Sequence, residues 1–271
     1  MRRLVTSVVL IIAGAAIFIL GSPYHATFPT NRNQIYYAGL TALFLAASVL
    51  LRRHRAFNQW APAAYSLFVA SAALLFLSTG ILELRRGELD PLQDVVLDKL
   101  SQFLHVVPII VTLTLVARKR LSDIFVARGN LKAGLIFGGI SFVGFAALAY
   151  VLQGGSGQLP PLTLGALGLV LLWAFANSTM EELWFRAVFL KPYEAVAGRA
   201  AAMLITSIVF GWSHAFATYD FPGGPIVFAV VVFALGALGA YAMSKTESLI
   251  GPVLFHAGYD LVIIVPVLAS M

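Results

Sequence analysis

The sequence predicts an all-α, polytopic membrane protein of eight or nine transmembrane helices. Three observations carry the fold class. Hydrophobic residues make up 60% of the 271 and charged residues only 11%, against about 25% charged in a soluble domain. Mean hydropathy is +0.89, more apolar surface than one soluble core of this length can hide from water. The apolar runs are also long and unbroken, unlike the alternating segments of about ten residues that build a membrane β-barrel. These features exclude a disordered chain, a collagen and a compact soluble enzyme. With no cysteine in the chain, disulfides, thiolate metal sites and a cysteine nucleophile are excluded as well.

Nine runs follow in order. The first, 4–20, comes after Arg2 and Arg3 and imitates a signal peptide, but it is long and ends in no Ala-x-Ala site, so it is read as an uncleaved span. Runs 35–51 and 61–82 come next. Between 83 and 99, Asp90 precedes Pro91, a helix-start pattern, and Asp94 and Asp98 share a face opposite Leu92, Val96 and Leu100. That predicts a short helix on the membrane surface with a solvated aspartate stripe. Runs 100–117 and 133–152 follow, the latter with Gly134 and Gly138 spaced for close helix approach. Gly154–Gly157 and Pro222–Pro225 read as loops. The last runs are 162–190, 200–217, 226–243 and 248–269, and Pro252 and Pro266 are expected to kink the final one. No internal repeat is visible. The natural division is residues 1–161 as N-terminal transmembrane helices and 162–271 as a catalytic helical core.

Charge sets the expected orientation. With the N-terminus cytoplasmic, only Arg32, Arg85, Arg86 and Lys99 fall on the outer side, and the other fourteen of the 18 Lys and Arg residues fall inside, as positive-inside topology requires. The basic pI of about 9.7 is thereby explained by the lipid bilayer, and no nucleic-acid partner is expected.

Ionisable groups inside spans each cost roughly 2.5–3.5 kcal/mol at the bilayer centre and so mark function. Here they cluster late: Glu181, Glu182 and Arg186 in the sixth run, His214 in the seventh, His256 and Asp260 in the ninth. Counting about 1.5 Å per residue from the inner-face anchors puts Glu181, His214, His256 and Asp260 in one middle band of the bilayer. Glu182 and Arg186 share a face at i, i+4, as do His256 and Asp260, whereas Glu181 points about 100° away from Glu182. The spacing predicts a Glu182–Arg186 ion pair and leaves Glu181 to act as general base on water. His214 can hold the same water, and His256 with Asp260 can support an oxyanion. Glu181, His214 and His256 are also a possible three-ligand zinc set, although no His-Glu-x-x-His motif is present. Phe210 and Trp212 are read as packing around the cavity, and His25, His54 and His105, placed in loops or near span ends, receive no role.

Glu181-Glu182-x-x-x-Arg186, Phe210-x-x-x-His214 and His256-x-x-x-Asp260, in that order on late membrane helices, resemble the CPBP family of CAAX proteases and bacteriocin-processing enzymes, which includes the type II CAAX prenyl endopeptidase. The resemblance covers about residues 162–269. It departs from the prenyl endopeptidases at Asp260, where they carry Asn, and a carboxylate accepts hydrogen bonds but does not donate them. The resemblance implies an intramembrane endopeptidase in a bacterial cell membrane, with a catalytic cavity among its C-terminal helices and a peptide or membrane protein as substrate. It implies either a bound zinc or a metal-free glutamate mechanism, of which the second is favoured here. A non-catalytic adaptor or immunity protein, or an ion-coupled transporter, are the competing expectations.

Overall fold

The computed structural model describes residues 2–21, 30–85, 87–154, 163–216 and 223–269. Each apolar run forms a helix, and no strand occurs among the described residues. In chain order these are α1 (Arg2–Phe18), α2 (Thr30–Arg53), α3 (Ala61–Leu77), α4 (Pro91–Val116), α5 (Leu131–Gly154), α6 (Leu164–Glu181), α7 (Leu190–Ala197), α8 (Arg199–His214), α9 (Gly224–Thr246) and α10 (Ile250–Ala269). Six described helices are long and apolar enough to cross a membrane, and α1 and α10 are shorter apolar helices. The chain is an integral, multi-pass membrane protein.

The predicted surface helix over 83–99 is instead the beginning of α4. Asp90 caps it by accepting from the Gln93 N–H at 2.9 Å, Pro91 occupies the first turn, and the helix then runs unbroken through Pro108. It continues because Val96, Ser101, His105, Val106 and Ile110 form one buried face, and lipid offers no alternative partners for a broken backbone. The aspartates are not a simple solvated stripe, since Asp98 accepts from Gln102 at 2.7 Å and pairs with Arg85 at 3.5 Å. His105 is likewise mid-helix and buried, not at a span end. Its Nε2 accepts from the Leu82 N–H at 3.0 Å, while Ser101 accepts from the Leu84 N–H at 2.9 Å. These two bonds strap the segment after α3 onto α4.

The sixth run does not stay one α-helix. After α6 comes a π-helical turn, Glu182–Ala187, closed by an i→i+5 bond from the Val188 N–H to the Leu183 carbonyl at 3.2 Å, and α7 then starts with Pro192 in its first turn. Proline lacks the N–H that would continue an α-ladder at that point. Such turns concentrate at functional sites.

The core is aromatic where α1 meets this turn, with the Phe18 and Phe185 rings 4.1 Å apart and Trp184 donating to the Ala70 carbonyl at 3.1 Å. On the other side, α10 lies against α5 through glycines. A Cβ on Gly258 would stand 2.7 Å from the Phe142 Cα, and one on Gly251 would stand 2.9 Å from the Gly134 Cα. Gly134 and Gly138 are therefore a true close-approach face. Pro252 sits in the first turn of α10 and does not kink it, because a missing N–H is harmless there. The side chain of Pro266, His25, and residues 155–157 and 222 of the two expected loops lie outside the described residues; Gly154 ends α5, and Gly224 and Pro225 begin α9 instead of extending a loop, because proline's missing N–H is harmless in a first turn. His54 is exposed between α2 and α3.

Candidate active site

Three helices deliver the ionisable groups to one place. Glu181 ends α6, Glu182 and Arg186 lie on the π turn, His214 ends α8, and His256 and Asp260 lie one turn apart on α10. The two adjacent glutamates diverge as helical geometry requires. Glu182 turns inward: its Oε1 accepts from Arg186 Nη1 at 2.5 Å and from His256 Nδ1 at 2.8 Å. Arg186 is wholly buried, donates from Nε to the Gly236 carbonyl at 3.2 Å, and lies 4.1 Å from the Phe210 ring centroid. Gly236 and Gly239 on α9 make this possible. A Cβ at Gly239 would fall 3.5 Å from the Glu182 carboxylate, and one at Gly236 would fall 3.1 Å from Arg186 Nη2.

Glu181 turns the other way. Its Oε2 is buried and has no hydrogen-bond partner; it faces His256 Nε2 at 3.4 Å and His214 Nε2 at 3.8 Å. The Phe210 carbonyl accepts from His214 Nδ1 at 2.8 Å, which fixes a proton on that nitrogen and turns Nε2 toward Glu181 and the space beside it. His256 is held by Glu182 on one edge and stacks on Tyr259 at 4.5 Å, and its Nε2 faces Asp260 Oδ1 at 3.5 Å. A small cavity of about 30 Å³ is lined by Glu181, His214, His256, Asp260 and Asn177. That volume suffices for one water.

Asn177 was not singled out from the sequence. It lies on α6 one turn before Glu181, its Nδ2 donates to Asp260 Oδ2 at 3.0 Å, and its Oδ1 is buried with no partner. The i, i+4 spacing to Glu181 was the available signal. Lys99 and Tyr259 also line the small cavity and were equally overlooked. Phe210 is central, packed between Arg186, His214 and His256. Trp212 is not: it is 51% exposed, because two residues of helix rotate it about 200° from Phe210.

A larger cavity of about 310 Å³ leads to Glu181 and His214. Met180, Trp184 and Phe185 line it, together with Ser78, Gly80 and Glu83 from the segment after α3.

Zinc does not fit this donor arrangement. Among the described residues no group of three His, Cys, Asp or Glu side chains has the geometry to hold a metal ion. No step below runs through a metal.

Residues 161–262 match the family described as Type II CAAX prenyl endopeptidase Rce1-like. No curated protein and no solved structure matches the chain.

Proposed function

We propose that the chain, whose residues 161–262 match the family described as Type II CAAX prenyl endopeptidase Rce1-like, hydrolyses a peptide bond in a membrane-associated peptide or protein by glutamate-activated water. The observation that carries this reading is the unpartnered, buried Glu181 Oε2, close to two histidine nitrogens on the wall of a cavity that can hold one water. Such a carboxylate is placed to take a proton from a water that His214 helps to orient. The water oxygen bonds to the substrate carbonyl carbon, its proton passes to Glu181, and the carbonyl π electrons move to oxygen. Collapse of the tetrahedral species breaks the C–N bond, and Glu181 returns the proton to the leaving amine.

Asp260, as a carboxylate, cannot donate to the developing oxyanion, but Asn177 can. Asp260 accepts one amide proton of Asn177, which orients that amide and leaves its second N–H for the oxyanion. His256 stands beside them, held in place by Glu182 and Arg186. Arg186 and Glu182 thus act as positioning residues.

The test is cleavage of a fluorogenic peptide library by purified protein. Glu181→Gln and His214→Ala are expected to lose about 10²–10⁴-fold in rate while remaining folded, and chelator is expected to leave wild-type cleavage unchanged. Full activity in Glu181→Gln overturns the mechanism. Activity that chelator abolishes and zinc restores replaces it with a metal one.

A further inference from the structure

α4 carries a cation into the interior of the protein. Lys99 lies in its third turn and is only 8% exposed. An ammonium inside a bundle of membrane helices is costly, and it marks function unless a neighbouring acid requires it. The acids around Lys99 have another cation, because Glu83 and Asp98 both pair with Arg85, at 3.1 and 3.5 Å. Glu182 in turn pairs with Arg186. Lys99 Nζ itself donates to a neutral acceptor, Gln102 Oε1, at 3.1 Å.

The two cavities define what Lys99 can reach. The larger, of about 310 Å³, and the smaller, of about 30 Å³, share three lining residues: Glu181, His214 and Lys99. Glu181 is the proposed base and His214 orients its water. Lys99 is the third residue of that boundary, and it is the only lysine or arginine among the described residues that line either cavity. The smaller cavity has room for a water and none for a peptide. A substrate carbonyl held in the larger cavity therefore meets that water at the boundary these three side chains form.

Hydrolysis adds negative charge at this boundary. Glu181, Glu182 and Asp260 already place three carboxylates around the site, against the single guanidinium of Arg186. Asn177, on the wall of the same small cavity as Lys99, offers the developing oxyanion a neutral amide. A compact ammonium on a flexible four-carbon stem supplies the charge that the amide lacks.

We infer that Lys99 is a further catalytic residue, the cation that stabilises the substrate's carbonyl oxygen as it becomes an oxyanion. This deepens the hydrolase reading and rests on it. As the water oxygen bonds to the carbonyl carbon and its proton passes to Glu181, the C=O π pair moves onto an oxygen beside the Lys99 ammonium. When the C–N bond breaks, that pair returns to the carbonyl and Glu181 delivers its proton to the amine. Lys99 keeps its own protons throughout.

The chain contains no cysteine, so this one charge can be removed and restored. In purified protein, Lys99→Cys is expected to lower kcat for the fluorogenic peptides about 10²–10³-fold, with KM changed by less than about twofold. Alkylating that thiol with 2-bromoethylamine gives a side chain of lysine's length and charge, and is expected to recover kcat by about tenfold or more. Alkylating it with iodoacetamide leaves a neutral adduct and is expected to recover none. A phosphinic peptide, whose tetrahedral anion imitates the intermediate, is expected to inhibit Lys99→Cys about tenfold or more weakly than wild type. Full kcat in folded Lys99→Cys, equal recovery by the two reagents, or a loss confined to KM overturns the inference. If Lys99→Cys does not fold, Lys99→Met fills the same space without charge and is read by the same kcat and inhibitor measurements. Unfolding of both variants makes Lys99 a structural cation and overturns the inference too. Glu181→Gln in the same assay keeps the two ideas separable. If wild type cleaves and Glu181→Gln does not, the hydrolase reading stands whichever way Lys99 falls. If wild type cleaves no peptide, the hydrolase reading fails and takes this inference with it.

Discussion

α10 turns two faces to its neighbours, and they are made of opposite materials. Toward α5 it offers Gly251 and Gly258, where the backbones approach so closely that a single added Cβ meets the main chain. Toward α6 and the π turn it offers His256 and Asp260, which meet Glu181, Glu182 and Asn177. Helices in lipid gain nothing from hiding apolar surface, so they adhere through van der Waals contact and hydrogen bonds. The glycine face uses the first and carries no chemistry. The charged face uses the second, and holds only because nearly every buried charge has a partner. One face therefore tolerates no added volume, and the other tolerates no lost partner.

That contrast can be broken deliberately. The largest effect is expected on the charged face. Arg186→Ala removes the permanent cation from the buried Glu182 and leaves it His256 alone, and should destabilise the protein by about 3–5 kcal/mol, read as a lowered thermal midpoint in detergent. Removing both partners, Glu182→Leu with Arg186→Leu, should recover most of that stability, since well-packed apolar replacements of a buried pair are often neutral. Cleavage should not return, because His256 has then lost the acceptor at its Nδ1. Recovery of both stability and activity would show that the pair has no role in positioning.

Next in size is Asn177→Ala. Loss of one oxyanion donor is expected to lower kcat by about 10²–10³-fold with KM nearly unchanged. Asn177→Asp should behave the same way, and pairing it with Asp260→Asn should restore activity by returning one amide and one carboxylate to the same pair. A rise in KM alone would assign Asn177 to substrate binding instead.

The glycine face should respond more weakly and in stability alone. Gly258→Ala is expected to cost about 1–3 kcal/mol through overpacking, with cleavage per folded molecule preserved. Gly144→Ala on α5, where a Cβ meets nothing within 4 Å, is the matched control and should not destabilise. Equal losses at the two positions would remove close approach as the explanation.

The smallest effect lies in the segment after α3, outside both faces. Arg85, through its hydrogen bonds, holds the Glu83 carboxyl down to about 2 from an ordinary 4.5. A depressed carboxylate contributes stability that is complete above the ordinary value and is lost as pH falls toward the lowered one. The thermal midpoint of wild type should therefore fall between pH 4.5 and 2 more steeply than that of Glu83→Gln. The difference will be slight, since both side chains are more than a third exposed.

Much of this molecule was legible before any coordinates. The apolar runs marked the helices because lipid demands long, unbroken, self-satisfied segments. The rare intramembrane charges marked the site because they are costly anywhere else. The periodicity of one helix placed Glu182 with Arg186, and His256 with Asp260. Where the reading failed, it failed at continuity and direction. The Asp90–Pro91 signal was a true helix start, but nothing local showed that α4 would continue through Pro108, or that His105 would be buried holding the strap after α3.

The sequence by itself determined the class of protein, the helices, and which charges share a face, because those properties depend on residues a few positions apart along one chain. Tertiary structure alone decided that His256 binds Glu182, that Asn177 completes Asp260, and that the π turn separates the two glutamates' surroundings. Those outcomes depend on how far one helix slides and rotates against another. In a membrane that is set by small residues, whose spacing leaves only a faint trace in the sequence.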